Sequence, residues 1–441
     1  MEQFAISEAD VAKHYDVLHR IGCLGASSSS GYLRAAYSSE ETAAMRYIED
    51  CAHRFGAVSK WDEIGNLALE WPGTSPEFVE VGSHLDTVPI GGNFDGAAGI
   101  VAGVLAISAL LSSDVLRAAG LRLRIWRGEE SSTYNSFATG SQGAFGRLEP
   151  KVLSNRFRGI SLEEAMNSAG ADPSIVRAKA RTISQEELDG VRAHIELHIE
   201  QGNFLEVAGI DLGIVTSIRG AYRCKVLLKG EFDHAGATPM GADYRRDANL
   251  ALAHILVAID GSSKQVLPQG KDLVQTAGVI NSNQDFNNND PRVYQNAGPK
   301  VSGFSYFFLD VRSTNNSFLT EYSADLERLI YKVAADFRVD SEIQVIGVSE
   351  ALEATDTAIQ NILESASRQL QISSVRMPSG AMHDTGIIGT ERQSNGNRVP
   401  VGMLFIPCKG GKSHCPEEYA TFAAIAKGAS VLATGMCELL R

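Results

Sequence analysis

"GAAGIVAGVLAISALL", residues 96–111, is the stretch on which the fold turns. It is apolar enough to suggest a membrane span, but it is shorter than the roughly 20 residues that a spanning helix needs. Glycine and alanine dominate it, which suits a buried helix lying close against a sheet. VEVGS (79–83) on one side and LRLRIW (121–126) on the other read as strands. Strand, helix and strand in that order predict an α/β fold built on a mostly parallel sheet with helices on both faces. In such sheets the functional side chains gather on loops beyond the carboxyl ends of the strands.

Helix-like and strand-like stretches alternate up to residue 213, and the pattern then changes. YRCKVLLKGEF reads as a strand, DANLALAHILVAID as a helix and LVQTAGVI as a strand. FSYFFLDVRS is then a strand, TEYSADLERLIYKVAADF a helix and SEIQVIGVS a strand. This βαββαβ order forms a compact α+β domain of its own. After residue 350 a helix (TAIQNILESASRQL) and a core strand (MLFIP) resume. The expected organisation is a catalytic domain in two parts, 1–213 and 351–441, with an inserted domain at 214–350. The Asn-rich stretch 281–300 reads as a long polar loop.

At 441 residues the chain exceeds what one core usually serves, in keeping with two domains. A formal net charge of −13 argues against nucleic acid or an anionic membrane as the main partner. The first residues lack a basic segment followed by an apolar one, so no signal peptide is expected. Cys23, Cys51, Cys224, Cys408, Cys415 and Cys437 show no paired spacing, which points to free thiols and a reducing cytoplasm.

The chemistry concentrates in a few short stretches. In HIELHIEQG (194–202), His194, Glu196, His198 and Glu200 alternate with Ile195, Leu197 and Ile199. A strand there would bury an oily face and carry four ionisable or metal-binding groups on the other. In GSHLDTVPIGGNFDGAAG (82–99), His84 follows a predicted strand and Asp86 could hold its second ring nitrogen. Asp95 sits in a glycine-flanked turn, where it could be a ligand or simply a helix cap. Glu129 and Glu130 in RGEESS are adjacent carboxylates at a strand end, either a solvated acidic loop or a pair neutralised by a cation. KSHCPEE adds His414 on a late loop. Any one of these is ordinary. Five candidates of the right types at strand ends suit a divalent-metal site in which a carboxylate bridges two ions.

The ordered set HLDT, GNFDG, GEES, ELHIEQG, DHAGATPM, LDVR, SGAMHD and GKSHCPEE resembles the hydantoinase/carbamoylase-type amidases of the aminoacylase and carboxypeptidase superfamily. The resemblance runs from about residue 80 to 420. It implies that His84, Asp95 and His198 hold one ion, and that Asp95 bridges to a second held by Glu130 and His414. Glu129 would be the general base, with Asp86 beside it in the catalytic set. Gln201, His234, Asn296, Arg312 and Gly380 match substrate-contacting positions, His234 also serving catalysis. Arg312 would pair with a substrate carboxylate, although it could instead pair only with Asp310. The chain departs from the family pattern in NAGPKVSG, GNFDG and SGAMHD, all near the expected substrate pocket.

The resemblance implies a homodimer joined through the inserted domain and carrying two divalent ions; the His and carboxylate set accepts zinc, manganese, cobalt or nickel, and the cysteines point to the cytoplasm. The substrate would be a small carboxylate-bearing ureide, an N-carbamoyl-L-amino acid first, with allantoate and β-ureidopropionate as rivals. A thiol amidase using Cys415 or Cys408 is a different class, which thiol alkylation would expose. A binding module without activity is a third, opposed by the complete ligand set.

Overall fold

A computed structural model describes residues 3–25, 27–115, 117–282 and 296–440; residues 283–295 of the expected Asn-rich loop lie outside the described residues. The first part of the chain forms strands β1 (Val58–Trp61), β2 (Leu67–Trp71), β3 (Phe78–His84) and β4 (Gly120–Trp126). A short ribbon, β5 (Arg156–Phe157) and β6 (Ile160–Ser161), precedes β7 (Val191–Ile199) and β8 (Leu212–Ile218). Then come β9 (Gly220–Lys229), β10 (Val274–Asn281), β11 (Phe304–Ser313) and β12 (Asp340–Ser349). β13 (Ser374–Ser379) and β14 (Val401–Ile406) complete the set.

The chain divides into two units, one of residues up to 217 together with those from 354, the other of residues 218–353. The pattern change at Gly213 therefore falls inside β8, a strand that pairs with β14 in the first unit's sheet.

The first unit is built on an eight-stranded sheet of order β1-β2-β4-β3-β7-β14-β8-β13. Its centre, β4-β3-β7-β14, is parallel. Antiparallel partners flank that centre, β2 on β4 and β8 on β14. Parallel strands share one direction, so the carboxyl ends of β3, β4, β7 and β14 lie along one edge of the sheet.

The apolar stretch is the helix Ala97–Leu111, and it lies in the core, where Val79, Val81, Leu121, Leu123, Ile195 and Leu197 pack around it. The small residues have a reason. A side chain at Gly99 would come within 2.2 Å of the Leu197 carbonyl oxygen, and one at Gly103 within 2.8 Å of Leu123. The late helix Phe422–Leu439 joins the same core. By length and composition this helix and the segment Ala248–Gln269 could cross a membrane, a property that buried core helices share.

The alternating row lies in β7 as far as Ile199, with Glu200 just beyond its end; the strand is in the middle of the sheet and both of its faces are covered. Ile195, Leu197 and Ile199 join the apolar core. The intervening polar positions on β3, β4 and β7 are buried too, so they pair with one another. Glu80 accepts from Arg122 (3.1 Å) and Arg124 (3.0 Å), and its other oxygen lies 2.9 Å from His194 Nδ1. Arg122 also bonds Glu70 at 2.9 Å, and Arg124 bonds Glu187 at 2.6 Å. Burying charges is costly unless each finds a partner. The network meets that condition without metal.

The second unit follows the βαββαβ order, with helices Ala248–Val266 and Asn316–Asp336. Its four strands form an antiparallel sheet of order β10-β11-β9-β12. The two helices pack on one side through Ala251, Ile255, Leu319, Leu326 and Ile330, against Cys224, Val226, Phe307 and Leu309.

The charged layer gives a stability prediction. Burial opposes the charge on Glu80, but Arg124, His194 and Arg122 outweigh it and hold the carboxyl well below the usual range. Glu80→Ala leaves two buried guanidiniums without this partner and should cost about 3–5 kcal/mol. A group whose folded pKa is depressed stabilises above its unfolded pKa and loses that contribution as pH falls. The deficit, read by urea unfolding, should therefore be full at neutral pH and shrink under acid. A variant as stable as its parent at pH 7 would contradict this account.

Candidate metal centre

The loops at the carboxyl ends of the four parallel strands bring together His84, Asp86, Asp95, Glu129, Glu130, His198, Gln201 and His414. β3 ends on His84, and the loop after it carries Asp86 and Asp95. Glu129 and Glu130 follow β4, His198 is near the end of β7, and His414 lies on the loop after β14.

Asp95 is the centre of the arrangement. One oxygen, Oδ1, lies 2.9 Å from His198 Nε2 and 3.4 Å from His84 Nε2. The other, Oδ2, lies 3.4 Å from His414 Nε2, and that same nitrogen is 3.3 Å from Glu130 Oε1. Gln201 Nε2 donates to Oδ2 at 2.6 Å and Ser413 Oγ at 2.9 Å. The carboxylate thus faces one donor group, His84 and His198, with one oxygen and a second, Glu130 and His414, with the other. Asp95 does not cap the following helix. The N-cap is Gly96, which has no side chain to cap with and whose amide donates to His198 Nε2 at 3.3 Å. Gly96 has φ +63°, and a Cβ there would sit 2.4 Å from His84 Nε2, so only glycine fits.

The imidazoles are oriented from behind. His198 Nδ1 lies 2.9 Å from the carbonyl of Ile199, which turns Nε2 toward Asp95. His84 Nδ1 lies 3.2 Å from Asp86 Oδ1. The two Asp86 oxygens also accept the backbone amides of Glu129 and Glu130, each at 3.0 Å. Asp86 therefore fixes an imidazole and both adjacent glutamates at once. Gln201 and His414 both have left-handed backbones, φ +58° and +59°. Side chains other than glycine are strained there, and such strain gathers at functional sites.

Electrostatics call for added positive charge. Burial pushes Glu129 well above the usual carboxylate range, with Glu130, Asp384 and Asp86 adding to it against His84. Burial also raises Glu130. The carboxylates of Asp95 and Glu130, 3.4 and 3.3 Å from its Nε2, push His414 up to about 11. Although burial opposes it, Asp86, Asp95 and Glu129 hold His84 well above the usual imidazole range. Protons on these rings stand in for the cations that such a carboxylate cluster attracts.

Divalent ions fit the donor set. His84, Asp95 and His198 offer ligand atoms within 4.8 Å of one another, and so do Asp95, Glu130 and His414. His84 Nε2 and Glu130 Oε1 are buried without a hydrogen-bond partner, the condition a metal would relieve. Glu196, His198 and His383 form a third group, but the protein already satisfies its other two members. Glu196 accepts from Ser83 Oγ (2.9 Å) and from Thr385 Oγ1 (2.7 Å), and His383 Nε2 meets Ser379 Oγ at 3.0 Å. Burial and the neighbouring His198 hold His383 well below the usual range, so it is neutral.

Two further acids belong to the centre and were not singled out by motif. Glu418 accepts from the amides of Phe94 and Asp95 at 3.0 Å and from that of His414 at 3.1 Å, which ties the two ligand loops together. Its signal was the second glutamate pair, in KSHCPEE. Asp384 is buried beside Ser141 Oγ at 2.5 Å, and burial together with Glu196 pushes it up to about 8.

Gly380 is exposed, on the turn after β13. Three expected residues belong to the second unit. His234 is exposed on a turn, and its Nδ1 accepts the amides of Gly236 and Ala237 at 3.1 Å, so that its proton is on Nε2. Asn296 donates to the Phe304 carbonyl at 2.8 Å, while its Oδ1 is buried with no partner. Arg312 forms a two-bond pair with Asp310, at 2.8 and 3.0 Å. Cys408 is buried, its thiol donates to the Lys412 carbonyl at 2.7 Å, and burial pushes it up to about 12. That is a poor nucleophile, and Cys415 is only partly exposed.

Comparisons with known proteins identify the family. Residues 81–437 match the model of peptidase family M20/M25/M40. An N-carbamoyl-L-amino acid amidohydrolase of Geobacillus stearothermophilus is 32% identical over 425 residues, 94% of this chain and 95% of that one. An allantoate amidohydrolase of Bacillus subtilis (strain 168) is 31% identical over 430 residues, 95% of each chain. The crystal structure of a hydantoinase/carbamoylase-family amidase from Burkholderia multivorans superposes with a TM-score of 0.82 at 25% identity, covering 99% of this chain and 98% of that one. With its candidate metal-ligand groups at the strand ends and its βαββαβ insertion, the chain belongs to the M20/M25/M40 family and, within it, to the amidohydrolases of the hydantoinase/carbamoylase type.

Proposed function

We propose that the protein is a metal-dependent amidohydrolase that cleaves N-carbamoyl-L-amino acids to the amino acid, carbon dioxide and ammonia. The observation that carries the reading is Asp95, whose two oxygens face two separate sets of metal-ligating side chains. In this reading His84, Asp95 and His198 hold one divalent ion, and Asp95, Glu130 and His414 hold the other. Bound cations would polarise the carbamoyl carbonyl and acidify the attacking water. Allantoate is the second reading, supported by the relative of that activity at 31% identity; β-ureidopropionate is a third of the same class.

The residues divide the work by what already engages them. Glu130 Oε1 points at His414 and serves as a ligand, whereas Glu129 is the free carboxylate that takes the proton from water. Asp86 orients both through their amides. Gln201, Asn296, Arg312 and Gly380 are the proposed substrate contacts. Arg312 would exchange its pair with Asp310 for the substrate carboxylate, which a planar guanidinium can grip with two bonds. His234, with a proton on Nε2, would donate to the carbonyl oxygen as charge builds there. We assign that donation to the partner protomer of a homodimer formed through the inserted unit.

Three experiments test the reading. On protein reconstituted with zinc, manganese, cobalt or nickel, hydrolysis is expected within a panel of N-carbamoyl-L-amino acids, allantoate and β-ureidopropionate. Chelation should abolish it and thiol alkylation should leave it. Turnover that survives exhaustive chelation but dies on alkylation would instead favour Cys415.

Glu129→Gln should retain metal, measured by elemental analysis, while kcat falls by about 10²–10⁴. Near-normal kcat would remove Glu129 from the role of base.

Loss of the His234 donor should cost about 10²–10³ in rate. Chains carrying Glu129→Gln and chains carrying His234→Ala, each nearly inactive, should regain activity when co-expressed. A mixed dimer then has one site with both groups intact. A mixture as inactive as its parents would rule out action across the interface.

A further inference from the structure

We infer that the segment from Arg34 to Glu41, outside the region that matches the family model, is a clamp that positions both halves of the metal centre. Arg34 holds the loop joining His84 to Asp95. Glu41 holds the turn that presents Glu129 and Glu130. The inference rests on the metal-centre reading above and concerns positioning residues, since neither side chain is part of the donor set.

Arg34 is fully buried. Its Nε donates to the Leu85 carbonyl at 2.7 Å, one residue past His84, and its Nη1 donates to Asn93 Oδ1 at 2.5 Å, two residues before Asp95. Its backbone grips the middle of the same loop. The Arg34 amide donates to Thr87 Oγ1 at 2.9 Å, and the Thr87 amide donates to the Arg34 carbonyl at 3.0 Å. Tyr32 and Gly91 exchange two more backbone bonds, at 2.9 and 3.1 Å. One side chain thus spans the beginning and end of the loop that carries two proposed ligands.

The cost of this arrangement argues for a role. A buried guanidinium normally pairs with a carboxylate, because desolvating a charge costs several kcal/mol. Both acceptors of the Arg34 side chain are neutral, and its Nη2 is buried without a hydrogen-bond partner, as is the nearby Tyr15 hydroxyl. Its charge is balanced at longer range, in part by Asp86 and Glu418. These acids orient the ligand loops.

Glu41 makes the same point on the other side. Ser38 caps the helix Ser39–His53 by accepting from the Glu41 amide, and a glutamate three residues after such a cap usually bonds back to the cap's own amide. Here the carboxylate is diverted. Oε2 accepts from the Tyr37 amide (2.6 Å) and from Arg127 Nε (2.9 Å), and Oε1 accepts from the Gly128 amide at 3.0 Å. Glu41 and Arg127 are both fully buried. Arg127 and Gly128 lead directly into Glu129 and Glu130, so the pair sets where those carboxylates begin.

Arg34→Met, Arg34→Lys and Glu41→Gln test the clamp in the full chain, with Leu363→Ala, a distant core truncation, as the control for general destabilisation. Backbone hydrogen exchange, the Zn²⁺ dissociation constant by competition with a chromophoric chelator, kcat and KM are measured on each. Arg34→Met should speed exchange selectively in residues 85–96 and weaken Zn²⁺ binding by about 10–100-fold, as loss of a group that orients ligands does. Arg34→Lys, which keeps the charge but not the fork, should fall between Met and the parent. Glu41→Gln should speed exchange in residues 127–131 and lower kcat more than it raises KM. Should Arg34→Met not fold, the other two variants carry the test. Exchange unchanged in both segments, or raised throughout as in Leu363→Ala, would overturn the clamp. If the parent binds no Zn²⁺, manganese or cobalt, the metal reading falls, and the exchange pattern alone decides the clamp.

Discussion

Four carboxylates, Asp86, Asp95, Glu129 and Glu130, are buried together at the ends of β3 and β4, and their mutual repulsion is the constraint that the first unit resolves. Carboxylates this close cannot all stay charged in a poorly solvated site unless cations or donors face them. Three imidazoles answer part of the demand, and backbone amides on Asp86 answer another part. The balance left over is a demand that divalent ions would meet. Asp95 is decisive because its two oxygens look in different directions, so one residue can serve two cations.

The sheet makes that convergence possible. Four parallel strands deliver their carboxyl ends to one edge, and the ligands from β3, β4, β7 and β14 meet there although more than 300 residues of chain separate the first from the last. Beneath the site, Glu80, Arg122, Arg124 and His194 occupy the same strands but close on one another, and His194, one member of the row, becomes structural. Glu196 is likewise spent on Ser83 and Thr385, and Glu200 accepts the amides of Phe204 and Leu205. Of the row that alternates through residues 194–200, only His198 reaches Asp95.

Rigidity is concentrated where these loops meet. Gln201 and His414 accept left-handed backbones, each costing about 1–3 kcal/mol by the usual scale of such strain. Both side chains contact Asp95, so the strain falls on residues that the centre itself holds in place. Glu418, Arg34 and Glu41 act from behind, through backbone amides and carbonyls of the ligand loops. A centre assembled from loops needs such supports, because loops have few bonds of their own to fix them.

The sequence by itself determined the local elements and the residue types at the centre. The helix at 97–111 follows from an apolar run of small residues too short to span a membrane, and the strands on either side of it and the βαββαβ order of the second unit follow from the alternation of helix-like and strand-like stretches. His84, Asp95, Glu129, Glu130, His198 and His414 stood out because metal-binding side chains beside glycine turns and strand ends form short local patterns. Tertiary structure decided what each of them faces. It decided between ligand and helix cap for Asp95 in favour of a carboxylate shared by two donor sets, made His194 an ion-pair partner, gave Glu418 its place between the two loops, and recruited Arg34 and Glu41 from a distant stretch whose composition carried no chemical signal. Hydrogen bonds and ion pairs depend on distances of about 3 Å in space, and separation along the chain does not encode them until the parallel strands have been paired.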